Sequence, residues 1–368
     1  MAKKAPRSRR ISRALDDLPG LFDAVDISFD TTPQHHSHTP FHTFPIPNPV
    51  PDPEPDITVS GPSAAATDEI EAENDIIPEL TLRPEDIRRP EKLQFISLGS
   101  GSCGNCAYIG TTSDGILIDA GVDSKRVTTT LAACGIKMEN VKGIILTHDH
   151  GDHVRYAYNI LRYNRHMRLY ATNRTLKGIL RRHSISRRIT DYHTPIFKEI
   201  PFQVAQMEIT AFEVSHDGSD NVGFSIIREG THFVVATDTG YITPRADFYL
   251  RQAAHIMIEA DYDLHMLMQS NRTEHLKARI ISATGHMDNT ETARYLSSIY
   301  TPAIKTIMLC HLSEEANTPE LATGAVTAAL TAAGISVGDG SGSITARQAA
   351  VQVYALPRMT ASPLIILS

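Results

Sequence analysis

The stretch Thr147-His148-Asp149-His150-Gly151-Asp152-His153 decides how this chain is read. Three histidines and two aspartates crowd into it, and the apolar, strand-like run 141–146 leads straight in. Imidazole and carboxylate together suit zinc, manganese or iron. The HxHxDH spacing is too dense for one ion. In an extended turn, positions 148 and 150 project the same way, while 152 and 153 reach a second point. A single loop of this kind can feed two adjacent ions. The bland alternative, a polar surface loop, does not account for so many ligand types at that spacing.

Two ions need about seven donors. The loop offers His148, His150, Asp152 and His153, so the rest must come from later strand ends. Three positions fit. His216 follows the alternating run 209–215, Asp238 follows the buried run 233–237, and His311 follows 307–310. Each is a polar residue just past an apolar strand, which brings them to a common mouth.

Around these positions the chain alternates between strand and helix patterns. Strands are expected at 93–98, 106–110, 115–119, 142–146, 206–214, 222–228, 231–237, 256–259 and 305–310. Helices are expected at 124–134, 153–164, 173–183, 273–281, 289–299 and 319–333, with Gly135 and Gly334 as stop signals. A last strand pair is expected within 343–356. This order has no simple βαβ repeat. It suits an α/β protein with two facing mixed sheets and outer helices, an αββα sandwich.

Residues 1–90 read differently. Prolines alternate at Pro45, Pro47, Pro49, Pro51, Pro53 and Pro55, and an acidic segment covers 68–79. Such a stretch is extended or disordered. The expected division is a disordered leader over 1–90 and a hydrolase domain over 91–368. His35, His36, His38 and His42 read as part of a polar tail. The leader holds 9 Lys/Arg and 16 Asp/Glu of the chain's 35 and 42, which leaves 26 of each in 91–368. All of the net charge of −7 therefore lies in the leader.

No apolar run of about 18 residues exists to span a membrane. The basic start is not followed by an apolar signal segment. Asp16, Asp17, Asp23, Asp26 and Asp30 argue against a mitochondrial transit peptide. Four cysteines in 368 residues fit a reducing compartment, so the expected location is cytoplasmic. Cys103-Gly-Asn-Cys106 is a lone CxxC in a glycine-rich turn and reads as incidental.

Asp119, the HxHxDH loop, His216, Asp238 and His311 resemble, in order, the motifs of the metallo-β-lactamase superfamily. The resemblance implies that His148, His150 and His216 hold one ion and that Asp152, His153 and His311 hold the other. It makes Asp238 the bridge and Asp119 a support for the loop. Two divalent cations so held, zinc foremost with manganese and iron as alternatives, bring a shared water from a pKa of about 15.7 toward ~7. That chemistry is hydrolysis, whatever the substrate.

Two further segments resemble superfamily members that cleave phosphodiesters, such as tRNase Z. They are Glu259 in Ile258-Glu259-Ala260-Asp261-Tyr262-Asp263 and His286 in Gly285-His286-Met287-Asp288-Asn289. The likeness implies a dyad in which His286 protonates the leaving oxygen and Glu259 orients it. With Asp152 these are the expected catalytic residues. The bland reading is a buried ion-pair partner and a helix cap.

Taken with Leu98 to Asn105, Leu117 to Gly121, Phe212 to Asp217, Leu276 to Ile280 and His311-Leu312-Ser313, the chain resembles the YycJ/WalJ (VicX) family over about 93–335. That family's exonuclease-like activity implies DNA rather than RNA as partner. Gly285, Asn289 and Ser313 are implied phosphate contacts. The chain departs from the family in reading GHMDN where GHLSN is usual, and again at 269–273.

An independent signal points to nucleic acid. Between His153 and Thr190 lie ten basic residues, running from Arg155 to Arg188, and no acidic one. A surface of this kind attracts phosphates. Asp238 and His311 are only 73 residues apart, too few for an inserted cap domain of the RNase J kind. The expected activity is a metal-dependent DNA exonuclease. The alternatives are a small-molecule ester, thioester or lactone hydrolase and a nucleic-acid-binding regulatory scaffold.

Overall fold

The computed structural model describes residues 91–341 and 343–368. The leader, with its prolines and histidines, lies outside the described residues.

Two sheets carry the domain. The first begins with an antiparallel meander, β1 (Leu93–Gly99), β2 (Cys106–Gly110) and β3 (Gly115–Ile118). Helix α1 (Ser124–Ala133) then crosses to β4 (Val141–Ile145), which runs parallel to β3. Asp123 caps α1 through the backbone N–H groups of Lys125 and Arg126. The short turn α2 (Gly151–Val154) and helix α3 (Ala157–Tyr163) lead to β5 (Arg168–Ala171), and α4 (Asn173–Arg182) leads to β6 (His193–Pro195). Strands β4, β5 and β6 are parallel.

The second sheet repeats the plan. Strands β7 (Phe202–Val204), β8 (Met207–Glu213), β9 (Val222–Arg228) and β10 (Thr231–Ala236) are antiparallel. Parallel strands follow. Helix α5 (Pro244–Leu250) connects to β11 (His255–Glu259), and α6 (Leu264–Gln269), α7 (Glu274–Ile281) and α8 (Asn289–Ile299) connect to β12 (Thr306–Cys310). Helix α9 (Pro319–Ala332), strand β13 (Val337–Gly338), turn α10 (Ile344–Arg347) and strand β14 (Val351–Ala355) close this half. The final strand β15 (Ile365–Leu367) returns to pair with β1. The spatial orders are β15-β1-β2-β3-β4-β5-β6 and β13-β14-β12-β11-β10-β9-β8-β7.

Both faces of both sheets are buried, and side-chain alternation sorts each strand between two cores. Phe95, Phe233, Val235, Met257, Met308 and Cys310 fill the layer between the sheets. Their neighbours Val234, Ile256, Ile258, Ile307 and Leu309 pack outward against α5, α8 and α9. On the other side Ile96, Leu117 and Ile144 meet Val127, Leu131 and Ile160 of α1 and α3. The rings of Phe95 and Phe233 meet across the inter-sheet layer with centroids 5.4 Å apart.

The αββα expectation holds, and three details differ. Each half does contain βαβ crossovers, hidden in the sequence behind antiparallel meanders. The helix expected over 153–164 breaks at Tyr156, because its N–H donates to Ala120 O while Ala120 N–H donates to His153 O. The segment 343–356 holds a helical turn and one strand rather than a strand pair, since β14 pairs with β12 and β13. The stops at Gly135 and Gly334 fall as expected, with φ of 77° and 78°.

Phe233 is fully buried, so Phe233→Ala is expected to lower unfolding free energy by about 3–5 kcal/mol. Denaturant titration measures this, and a loss below ~1 kcal/mol contradicts the packing described.

Candidate metal centre

The carboxyl ends of the parallel strands open at one edge of the sandwich, where open α/β sheets present their ligand sites. Strands β8 and β10 both run antiparallel to β9, so their ends point the same way. β3 delivers Asp119, β4 the histidine loop, β8 His216, β10 Asp238, β11 Glu259 and β12 His311. Three of these residues leave their strands with left-handed backbone: Asp119 at φ 59°, Asp238 at 48° and His311 at 56°. Such conformations cost about 1–3 kcal/mol each outside glycine. They turn the chain sharply enough to aim each side chain across the edge.

The structure gathers the seven expected ligands into overlapping groups. His148, His150 and His216 form one, and Asp152, His153 and His311 form another. Asp238 lies between them. Its Oδ1 is 3.8 Å from His216 Nε2 and 3.3 Å from His311 Nε2, and its Oδ2 is 3.4 Å from His153 Nε2. Asp152 Oδ2 is 3.5 Å from both His153 Nε2 and His311 Nε2. Tetrahedral coordination with bonds of about 2.1 Å puts neighbouring donors roughly 3.4 Å apart. The spacing therefore fits small divalent cations.

His148, His153 and His216 each have one nitrogen hydrogen-bonded to an outer partner, which leaves the other facing inward, and carboxylates stand within ion-pair range of His150 and His311. His148 Nδ1 lies 3.0 Å from Thr147 Oγ1, and its buried Nε2 has no hydrogen-bond partner. His150 Nε2 lies 3.2 Å from Asp217 Oδ1, while its Nδ1 is 3.2 Å from His216 Nε2. His216 Nδ1 donates to Gly285 O at 3.0 Å. His153 Nδ1 donates to Asp119 Oδ2 at 2.8 Å. His311 Nδ1 faces Glu259 Oε1 at 3.3 Å and Asp261 Oδ1 at 3.4 Å, and both of its buried nitrogens lie near carboxylates without making a hydrogen bond. Ring orientation fixed in this way by an outer partner is what metal-binding histidines require.

Electrostatics divides the two groups. Burial pulls His148 far below its ordinary pKa, the neighbouring His153 adds to this, and burial with His216 brings His150 down to about 4. These rings are neutral, with lone pairs to give. Burial also opposes charge on His153 and His311, but the carboxylate of Asp238, joined by Asp119 or Asp152, outweighs it and pushes both well up. That side concentrates negative charge, which a cation offsets.

Glu259, fully buried, accepts from His286 Nδ1 at 2.7 Å through Oε1 and from the backbone of Thr239 and Met287 through Oε2. Burial alone lowers His286, but Glu259 and Asp261 push it up to about 9. Its ring stacks on His311, with centroids 5.1 Å apart and planes 9° apart. His286 and His311 line one cleft with Asp152, Asp238, Arg182 and Arg279.

The structure adds supports that the sequence reading passed over. Asn105 Nδ2 donates to Asp152 Oδ2 at 3.1 Å and touches His153 Nε2 at 2.9 Å. Asp149 points away from the centre and accepts from Ser219 N and Oγ, each at 2.7 Å, tying the loop to the segment after His216. Asp217 and Asp261 each follow a named site residue closely, and that adjacency was the available signal. Asn289 and Ser313, implied as phosphate contacts, are buried instead. Asn289 Nδ2 donates to Asn317 Oδ1, and Ser313 Oγ accepts from Arg272. Gly285 contributes the carbonyl that holds His216. All ten residues of the basic tract are exposed. Arg182 lines the cleft, and among the described residues Arg182 and Arg188 are the two with a carboxylate partner.

The profile of the β-lactamase superfamily domain matches residues 115–312. The chain belongs to this superfamily, as a hydrolase of the metallo-β-lactamase fold and of YycJ/WalJ type. It is similar to the exodeoxyribonuclease YycJ of Bacillus anthracis, with 30% identity over 247 residues, 67% of this chain and 92% of that one. It is also similar to the exodeoxyribonuclease WalJ of Streptococcus pneumoniae serotype 2, with 31% identity over 230 residues, 62% of this chain and 85% of that one. Among solved structures, YhfI of Bacillus subtilis superposes with a TM-score of 0.51 at 11% identity, over 74% of this chain and 99% of that one. Zinc-bound PqqB of Methylobacterium extorquens gives 0.51 at 14%, over 73% and 99%. At such identities the likeness is one of fold, and the fold implies divalent metal at this edge. No helix among the described residues is long and apolar enough to cross a membrane.

Asp119 is a positioning residue, since it also accepts from Thr147 N at 2.9 Å and from Thr147 Oγ1. Asp119→Ala is expected to weaken metal affinity about 10- to 100-fold. Competition with a chelator measures this. Wild-type affinity in a folded variant contradicts the role.

Proposed function

We propose that this protein is a phosphodiesterase that removes nucleotides from DNA, using two divalent cations, zinc foremost, at this centre. His148, His150 and His216 would hold one cation and Asp152, His153 and His311 the other, with Asp238 available to both. When bound, such a pair supplies a water of lowered pKa and a Lewis acid toward phosphoryl oxygens. The chain's own residues do the rest. Glu259 keeps the His286 ring oriented and protonated, and His286 delivers that proton to the departing oxygen. Asp152, its carboxylate shared between His153 and His311, would orient a water for attack. Arg182 and Arg279 flank the phosphate and neutralise it.

One observation carries the phosphodiesterase reading: the 2.7 Å Glu259–His286 pair beside His311. A poor leaving group such as a sugar alkoxide needs an acid. The two exodeoxyribonuclease relatives and the exposed basic face over Arg155 to Arg188 support DNA. The four cysteines, all free, support a reducing, cytoplasmic setting. The proposed division is a leader over 1–90, which lies outside the described residues, and a catalytic domain over 91–368.

Metal-reconstituted protein incubated with end-labelled duplex DNA, single-stranded DNA and RNA is expected to shorten DNA stepwise. His148→Ala and Asp238→Ala are expected to abolish it, and undiminished cleavage in either variant refutes the centre proposed. His286→Ala is expected to lower kcat on DNA by about 10²–10⁴-fold. It should lose far less on a p-nitrophenyl phosphodiester, whose leaving group needs no proton, and equal losses on both substrates remove His286 from the acid role. DNA affinity is expected to fall steeply with salt, and Arg182→Ala to reduce the log–log slope by about one.

A further inference from the structure

A second recess opens against the His286–His311 pair, on the far side from the cluster of ligands. Arg272, Leu276, Arg279 and Ile280 line it together with Asp261 and Glu315, and it shares Ser102, Arg279, His286 and His311 with the metal cleft. The stacked imidazoles are thus the wall between two connected spaces. Arg272 lies in the bend just before α7 and Arg279 near the end of that helix, and both side chains line the recess.

Neither guanidinium is used up by its neighbours. Arg279 Nε donates to Asp217 Oδ2 at 2.7 Å, and its terminal amino groups have no partner among the described residues. Arg272 Nε meets Glu315 at 3.2 Å, but Glu315 is 61% exposed, and so solvated a pair contributes little. One Arg272 amino group donates to the buried Ser313 Oγ at 3.0 Å, which aims the fork into the recess. Planar forks with unspent donors match phosphate oxygens two at a time. Leu276 and Ile280 supply an apolar floor on which a sugar can lie.

We propose that this recess holds the phosphate next to the one being hydrolysed, on the side of the departing strand, so that two consecutive phosphates are read in each cycle. The inference rests on the phosphodiesterase reading, and it restricts the substrate to nucleic acid that continues past the cut on the His286 side. A small ester, or an end with no such phosphate, forfeits this contact.

The test pairs Arg272→Ala with an oligonucleotide in which the linkage flanking the cut on the departing side is a neutral methylphosphonate. In the wild-type metalloenzyme the neutral linkage is expected to lower kcat/KM by about ten- to a hundredfold. Arg272→Ala is expected to show that same loss on the all-phosphate strand, with no further loss on the neutral one. Arg272→Lys, which keeps the charge without the fork, should recover part of it. Multiplying losses in Arg272→Ala, or an unchanged rate on the all-phosphate strand, overturns the proposal. Affinities of the metal-loaded protein for phosphorothioate versions of both strands are read in parallel. An absence of turnover then refutes the nuclease reading, while the same pairing of affinities still decides the recess: a charge preference that vanishes in Arg272→Ala supports it, and one that persists, or is absent in wild type, overturns it.

Discussion

The carboxylate of Asp119 is the constraint on which the edge of this sandwich depends. It sits where β3 ends, in a left-handed conformation, and accepts from the backbone and hydroxyl of Thr147 and from His153 Nδ1. One group thereby fixes where the histidine loop leaves β4, how Thr147 presents its oxygen to His148, and which nitrogen of His153 faces inward. All of this is buried, so each bond works in a medium where an unpaired partner is costly.

The same logic extends outward. Most imidazoles at the centre have a partner drawn from another element: Asp217 beside His150, Asp119 on His153, the Gly285 carbonyl on His216, and Glu259 and Asp261 beside His311. Glu259 serves twice, facing His311 on one side and holding His286 on the other. The His311 side and the His286 side of the site therefore share one buried carboxylate. The strained strand ends that aim these groups are tolerable because the strands behind them are buried on both faces. Packing of that density does not yield to local backbone strain.

Much of this was legible in the residues themselves. The loop Thr147 to His153 pointed through its spacing to two groups of donors, and His216, Asp238 and His311 declared themselves as polar residues ending apolar runs. Strand alternation was weaker, because strands buried on both faces read as continuous apolar runs. That is why the βαβ crossovers and the short strands β5 to β7 were not visible, and why the helix after the loop looked unbroken across Tyr156. Implied roles fared unevenly. Asn289 and Ser313 are buried structural ties, while Asn105 supports the site without a pattern to mark it in advance, and Asp217 was marked only by its place next to His216.

By itself the sequence determined the chemistry on offer: which side chains can bind a cation, and that each follows a strand. Spacing within one loop is a local property, and local geometry translates it directly into two points in space. Only the tertiary structure decided which nitrogen of each histidine faces inward, how Asp238 comes to lie between the two groups, and that Arg272 and Arg279 face one recess beyond His286. Those outcomes depend on partners up to about two hundred residues away, as when the Ser100 hydroxyl accepts from the His311 backbone N–H across a separation of 211. Contacts at that range form only when both sheets have closed.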